Sequence, residues 1–363
     1  MLDFRLWDLS WCLFSKKGRQ WLMEFDPRNI LIVDFGQLGD VVLSLPALSA
    51  IRQRFPRSRI TVAVGKSCAP IVELSGYADD TLVVDRVALR DGPKPWAVIR
   101  IMRLVKEVRR AHFDFVIDLH SMSETNLLGY LSGASNRLFA RRPGRSLDFL
   151  SNFRPQPAIE NKSSHAVDRY LTVVAPLGIG DVPRVPKLVT RSADDAAVEQ
   201  MLKRERADTG IPLVGLFPGA GHPSRRWPLD RFAELAGKLA RETDIRIVVF
   251  AGPEERGMIK EMREKFGKNV ILFDRLTIPQ LASALARLSV FVSNDTGPMH
   301  IAYAVGASVV LLLDRRAPDS YLPVSGRHQI IYSNMIQDVS IDEVYGAARE
   351  LLASGRTATL FAS

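Results

Sequence analysis

The chain has 363 residues, 47% of them hydrophobic and 25% charged, the mixture of a globular protein and not of a disordered or fibrous one. That length exceeds one ordinary core and suits two of roughly 150 residues each. A net charge of +9 suits a polyanionic partner, whether nucleic acid, an anionic membrane surface or a phosphorylated substrate, without choosing among them.

Cys12 and Cys68, the two cysteines, stand far apart and outside any CxxC spacing. Neither a disulfide framework nor a cysteine-rich metal site is expected, and a reducing, cytoplasmic setting fits. No apolar run reaches the roughly 18 residues that a membrane span needs. Residues 1–27 form an extension with three of the five tryptophans, Trp7, Trp11 and Trp21. Asp3 and Asp8 stand where a signal peptide carries positive charge. Leu2, Leu6, Leu9 and Leu13 recur at helical spacing, which predicts an amphipathic helix packed on the body of the protein. Peripheral contact with the cytoplasmic face of the inner membrane is the competing reading, weakened by charges that nearly cancel.

Strand-like and helix-like runs then alternate, the pattern of a doubly wound parallel sheet. Residues 29–34 (NILIVD) predict a strand and 39–55 its following helix; 59–64, 81–85 and 114–119 predict further strands, and 97–111 and 163–177 further helices. A proline-rich stretch over residues 176–190 divides the chain. Beyond it come strand 212–217, helix 229–243, strand 245–251, helix 254–266, strand 269–273, helix 279–286 and strand 289–293. A helix from Pro298, a strand over 308–313 and a helix near 340–353 complete the pattern. The expected organisation is an N-terminal Rossmann-like domain over 28–180, a C-terminal one over 181–340, and a terminal helix and tail over 341–363. Two such arrays imply a central cleft, with ligands beyond the carboxyl ends of the strands.

Four strand ends carry unusual loops. In Asp34-Phe-Gly-Gln-Leu-Gly-Asp40 the glycines permit a sharp turn, and neither the GxGxxG nor the P-loop fingerprint is present. Asp40 can be a helix N-cap or a general base. In Pro218-Gly-Ala-Gly-His-Pro-Ser-Arg-Arg-Trp-Pro228, Arg225 and Arg226 can neutralise a diphosphate or remain solvated loop charges. In Ser293-Asn-Asp-Thr-Gly-Pro-Met-His300, the N–H groups of Thr296, Gly297 and Met299 at a helix start form a phosphate seat; an ordinary capped helix is the plain alternative. Glu255 after the strand at 245–251 can bind ribose hydroxyls or merely favour a helix start. Arg137, Arg141, Arg142, Arg145 and Arg154 crowd one stretch and read either as a solvated face or as a mobile anion-binding lip.

With these loops in place the chain resembles glycosyltransferase family 9, the ADP-heptose:lipopolysaccharide heptosyltransferases. The resemblance is carried by ILIVDFGQLGDVVLSLPALSAIR, DFVIDLHS, HAVDRYL, PGAGHPSRRWPLDRFAELA and SNDTGPMHIAYAVGA, in the family's order from about Asn29 to Leu313. It implies a GT-B fold, an inverting transfer without an obligatory metal or other cofactor, and a nucleotide-sugar donor held by the C-terminal domain. Asp40 matches the catalytic carboxylate; Thr296, Gly297 and His300 match the diphosphate-binding segment; Asp295 matches the acid before it; Glu255 falls at the ribose-binding acid. Arg225 stands where the family usually has lysine, and Asp34 and Gln37 where it more often has a basic and a small hydroxyl residue. His120, Arg141, Arg142 and Arg145 are offered as acceptor contacts.

The expected reaction is transfer of heptose from ADP-heptose to a phosphorylated lipopolysaccharide-core or related glycolipid acceptor by a monomeric enzyme that binds no nucleic acid. Alternatives are a nucleotide-sugar epimerase on the same fold, a family member using another nucleotide sugar, a nicotinamide oxidoreductase, disfavoured by the missing GxGxxG, and a basic nucleic-acid-binding protein, for which no motif is present.

Overall fold

The computed structural model describes residues 25–86, 94–207, 210–241, 245–268 and 270–360. The tryptophan-rich helix expected within the first 24 residues lies outside these. The chain divides between Pro186 and Lys187 into two compact units.

The first unit is a five-stranded parallel sheet in the order β3-β2-β1-β4-β5, formed by β1 (Asn29–Asp34), β2 (Arg59–Gly65), β3 (Asp80–Val84), β4 (Phe115–Asp118) and β5 (Asn136–Phe139). NILIVD is an unbroken apolar run because β1 lies in the middle, with Ile30, Leu31, Ile32 and Val33 wholly buried; a parallel strand covered on both faces has no polar side to show. Helix α1 (Leu38–Arg54) follows it and buries every residue from Val41 to Leu48. Helices α2 (Ala69–Ser75), α3 (Lys94–Arg110), α4 (Ser123–Leu131) and α5 (Ala166–Val174) complete the unit. Phe25 seats its ring edge-on to Phe115 at 5.1 Å and packs against Phe153 and Phe55.

The second unit is a six-stranded parallel sheet in the order β11-β10-β9-β6-β7-β8. Its strands are β6 (Leu213–Phe217), β7 (Arg246–Phe250), β8 (Ile271–Phe273), β9 (Val290–Asn294), β10 (Val309–Asp314) and β11 (His328–Ser333). Its helices are α6 (Ser192–Arg204), α7 (Leu229–Ala240), α8 (Ile259–Phe266), α9 (Ile278–Ala286), α10 (Gly297–Ala304) and α11 (Ile341–Leu360). One core joins Trp227, Phe232 and Leu235 to Val344, Ala348 and Leu351, so α11 is built into the sheet's cover.

The sequence pattern did not announce α2, α4, β5, α6 or β11. The first two are short, with seven and nine residues. Strand β11 lies at the sheet edge and is only partly buried, so it lacks the apolar run of the central strands. The helix expected over 163–177 is shorter: His165 caps α5 by accepting the Val167 N–H on Nδ1 at 3.2 Å, and its last residues, Ala175–Leu177, tighten into a 3-10 turn.

The strand order reverses direction twice, between β1 and β4 in the first sheet and between β6 and β9 in the second. At such switch points neighbouring loops diverge beyond the strand ends and leave room for a ligand. Three of the four singled-out loops leave β1, β6 and β9, three of the four strands that flank these two points; the fourth leaves β7.

Candidate functional site

In the first unit the turn after β1 is as tight as its glycines suggest: a Cβ on Gly36 would stand 2.6 Å from the Asp40 Cβ. Asp40 is not the N-cap; Gln37 is, and Asp40 occupies the third helical position, where Oδ2 accepts the Gln37 N–H at 3.0 Å. Its Oδ1 has no hydrogen bond among the described residues. Asp34, completely buried, accepts the Gly36 N–H on Oδ1 at 3.1 Å, while Oδ2 has no hydrogen-bond partner among the described residues. Burial raises its carboxyl above the usual range. Arg86 donates to the carbonyls of Phe35 and Gly36. Burial pushes the Cys68 thiol up to about 11, which keeps it protonated and unreactive.

Neighbouring β4 ends in Asp118, whose carboxyl is pushed up to about 7 by burial against the opposing pull of its donors. These are the Ser121 N–H at 2.6 Å and Asn126 Nδ2 at 2.7 Å. Ser121 takes φ of 45° to reach it. Between them His120 is held neutral: burial first, then Arg142 and Arg86, lower it to about 4 against Asp40 and Glu124. Its Nδ1 is buried without a hydrogen-bond partner among the described residues, an atom that a bound hydroxyl could satisfy.

The arginine stretch is largely wired into the protein, which matches neither the solvated face nor the mobile lip that the sequence left open. Arg137 donates to Leu150 and Ala134 carbonyls, Arg154 to that of Phe153, and Arg142 to that of His120. Arg142 also lies 3.1 Å from Glu160, and Arg141 lies 3.5 Å from Asp148. The reason is backbone demand: past β5 the chain runs irregularly, and carbonyls without a ladder partner need donors. Arg145 is exposed and makes no ion pair among the described residues.

In the second unit one side chain missed from the sequence organises the switch point. Asn294, buried at the end of β9, donates to the Pro218 and Gly219 carbonyls at 3.1 Å each and accepts the Trp227 N–H at 3.0 Å. It ties both ends of the β6 loop to β9. The only clue was an amide side chain inside a strand-end motif. Trp227 also donates through Nε1 to Val339. Arg226 is committed to this loop, with two bonds to the Ala220 carbonyl at 3.1 and 3.0 Å, so it is not the diphosphate group first considered. Arg225 is half exposed and lies 3.7 Å from Asp295. Burial raises the Asp295 carboxyl and Arg225 opposes the rise.

Helix α10 starts behind Thr296. The Met299 N–H is not free as expected, because it donates to the Thr296 carbonyl at 3.1 Å; the orphan donors of this helix start are those at Thr296 and Gly297. His300 is buried at 5% exposure within the helix. Glu255, also buried, accepts the Gly252 N–H on Oε2 at 3.0 Å, and burial raises its carboxyl. Asp314, at the end of β10, is lowered to about 2 by its bonds from Arg316. Among the described residues no group of three or more His, Cys, Asp or Glu side chains is gathered as a metal site requires.

The family model described as glycosyltransferase family 9 (heptosyltransferase) matches residues 101–344; the Asp34–Asp40 turn precedes that segment. Lipooligosaccharide heptosyltransferase 2 of Haemophilus influenzae is 23% identical over 318 residues, 84% of this chain and 88% of that protein. Lipopolysaccharide heptosyltransferase 1 of Salmonella typhimurium is 27% identical over 287 residues, 76% and 85% of the two chains. Among solved structures, the glycosyl transferase family 9 protein of Veillonella parvula aligns with a TM-score of 0.79 at 24% identity, over 92% of this chain and 99% of that one. The ADP-heptose heptosyltransferase II of E. coli aligns with a TM-score of 0.76 at 19% identity, over 90% and 99%. These likenesses carry the fold, which is GT-B.

Proposed function

The chain belongs to glycosyltransferase family 9 and is a glycosyltransferase, and from that premise we propose that it transfers heptose from ADP-heptose, with inversion, to a phosphorylated lipopolysaccharide-core glycolipid. The observation that supports the donor half is the β6/β9 switch point. There the orphan N–H groups of Thr296 and Gly297, at the positive end of α10, accompany the half-exposed guanidinium of Arg225, as a diphosphate requires. Asn294 holds the two loops in register, so the donors are fixed before a ligand arrives. Asp295, Glu255 and His300 belong to the same end of the sheet and are assigned to the donor with them.

The acceptor half is assigned to the β1/β4 switch point. Asp40 takes the proton from the acceptor hydroxyl through Oδ1, the oxygen not used by the turn. The oxygen then attacks the anomeric carbon, the bond to the diphosphate breaks on the opposite face, and the leaving charge is taken up by Arg225 and the helix start. Neutral His120 is a contact for an acceptor hydroxyl, and the exposed Arg145 meets acceptor phosphate, with Arg141 and Arg142 as fixed positive charge behind it. Arg225 and the helix start take the place of a metal in the scheme, so transfer should survive a chelator. The acceptor is lipid-linked, which makes peripheral membrane association part of this reading.

Calorimetric titration with ADP, UDP and GDP, then with ADP-heptose, tests the donor assignment; failure of every nucleotide diphosphate to bind would remove it. Consumption of ADP-heptose only when acceptor is present separates transfer from epimerisation.

A further inference from the structure

Helix α3, Lys94–Arg110, has no part in either switch point. It packs on its sheet through Leu104, Val105 and Val108. A second apolar stripe, Val98, Ile101 and Met102, follows i, i+3, i+4 spacing along another face. Val98, Ile101 and Met102 are 54%, 48% and 58% exposed, and Trp96 is 60% exposed. Arg100, Arg103, Lys106, Arg109 and Arg110 are exposed beside them, and Glu107 is the sole acid in the helix sequence. A groove lined by Ile101, Met102, Lys106 and Arg109 extends to Leu131 of α4.

A solvent-facing helix ordinarily turns polar residues outward, so an apolar stripe on the outer side needs an occupant. A nucleic acid would meet the cations and leave the stripe in water. A protein interface core is depleted in lysine and charge. An anionic bilayer matches both halves, because its headgroups take the cations while its interfacial layer takes tryptophan, isoleucine and methionine. We propose that α3 is the face by which this protein docks on an anionic lipid surface, lying in the plane of the interface with its apolar stripe among the headgroups. The reading of the acceptor as lipid-linked gives the docking a purpose, but lipid binding needs no turnover and is tested apart from it.

The test is flotation of the full chain with vesicles of phosphatidylcholine alone or mixed with phosphatidylglycerol, at low and high salt. Binding is expected to the anionic vesicles and to weaken steeply with salt. The pair Ile101→Glu and Met102→Glu, and separately the pair Arg103→Glu and Lys106→Glu, should each lower the partition coefficient by about tenfold or more. The milder pair Ile101→Ser and Met102→Ser, with a thermal melt, guards against misfolding. Turnover on a water-soluble acceptor should stay unchanged. The proposal is overturned if the wild type ignores anionic vesicles, or if every variant floats as the wild type does, since binding then belongs to another surface. It also fails if the substitutions convert a dimer into a monomer in light scattering. Vesicle binding by a chain that transfers no sugar would retire the enzymatic reading alone.

Discussion

Glu255 occupies the space that a side chain at Gly219 would need. A Cβ on Gly219 would lie 2.3 Å from Glu255 Oε1 and 2.4 Å from its carboxyl carbon. The loop after β6 can therefore lie close over the acid only because residue 219 has no side chain. Gly219→Ala should cost about 1–3 kcal/mol of stability by overpacking and weaken ADP binding measured by calorimetry. Combining it with Glu255→Ala should cost less than the sum of the two, because the clash with Glu255 is gone and only the Phe217 ring, 2.6 Å from that Cβ, remains in the way. Additive losses in thermal or denaturant melts would mean that this contact is not the cause.

The turn contact of Asp40 and the base role proposed for it fall on separate oxygens. Asparagine can still accept the Gln37 N–H, so Asp40→Asn keeps the turn and loses the base. Turnover should fall about 10²–10⁴-fold with ADP affinity and melting temperature near those of the wild type. Asp40→Ala should add a loss of about 1 kcal/mol in stability. Near-normal turnover in Asp40→Asn would leave the carboxylate with the turn alone.

What could be read from the sequence was whatever one strand or loop determines for itself. NILIVD declared a central parallel strand because burial on both faces leaves its mark on every residue. Gly36 and the Thr296-Gly297-Pro298 start declared their turn and helix by local stereochemistry. What could not be read depends on neighbours distant in the chain. Asn294 earns its place only because the Pro218 and Gly219 carbonyls, 76 and 75 residues away, come within 3.1 Å. Arg226 and Arg225 are adjacent and chemically identical, yet one is consumed by a loop carbonyl and the other stays half exposed. The same holds for Arg142, which answers Glu160 and the His120 carbonyl instead of solvent.

That difference between adjacent arginines is measurable. The Arg225–Asp295 pair is long and half exposed, so Arg225→Ala should leave stability within about 0.5 kcal/mol. ADP affinity should drop about tenfold or more, the value of a hydrogen bond to a charged group. Arg226→Ala should do the reverse in order of size: it removes both bonds to the Ala220 carbonyl, lowers the melting temperature, and weakens ADP only through the loosened loop. Equal melting temperatures for the two variants would contradict this division.

Asp118 supplies a stability signature with a definite sign. Its carboxyl titrates near 7 in the folded chain against an ordinary value of 3.8, so between about pH 4 and pH 7 the folded state holds a proton that the unfolded state has released. The stability from this group is fully present below about pH 4 and is lost as pH rises through 7, by at most about 4 kcal/mol. His120, lowered to about 4, contributes the opposite slope: its share is present above pH 6.5 and is lost as pH falls toward 4. Subtracting a variant therefore isolates Asp118. In Asp118→Asn the new amide meets a donor on one side, because Asn126 Oδ1 is taken by the Leu147 N–H at 2.8 Å and its amide cannot turn. That local penalty, about 1–3 kcal/mol, does not itself change with pH. Urea melts of both proteins from pH 4 to pH 8 should show their difference shrinking as pH rises, and parallel curves would show that Asp118 does not carry the proton.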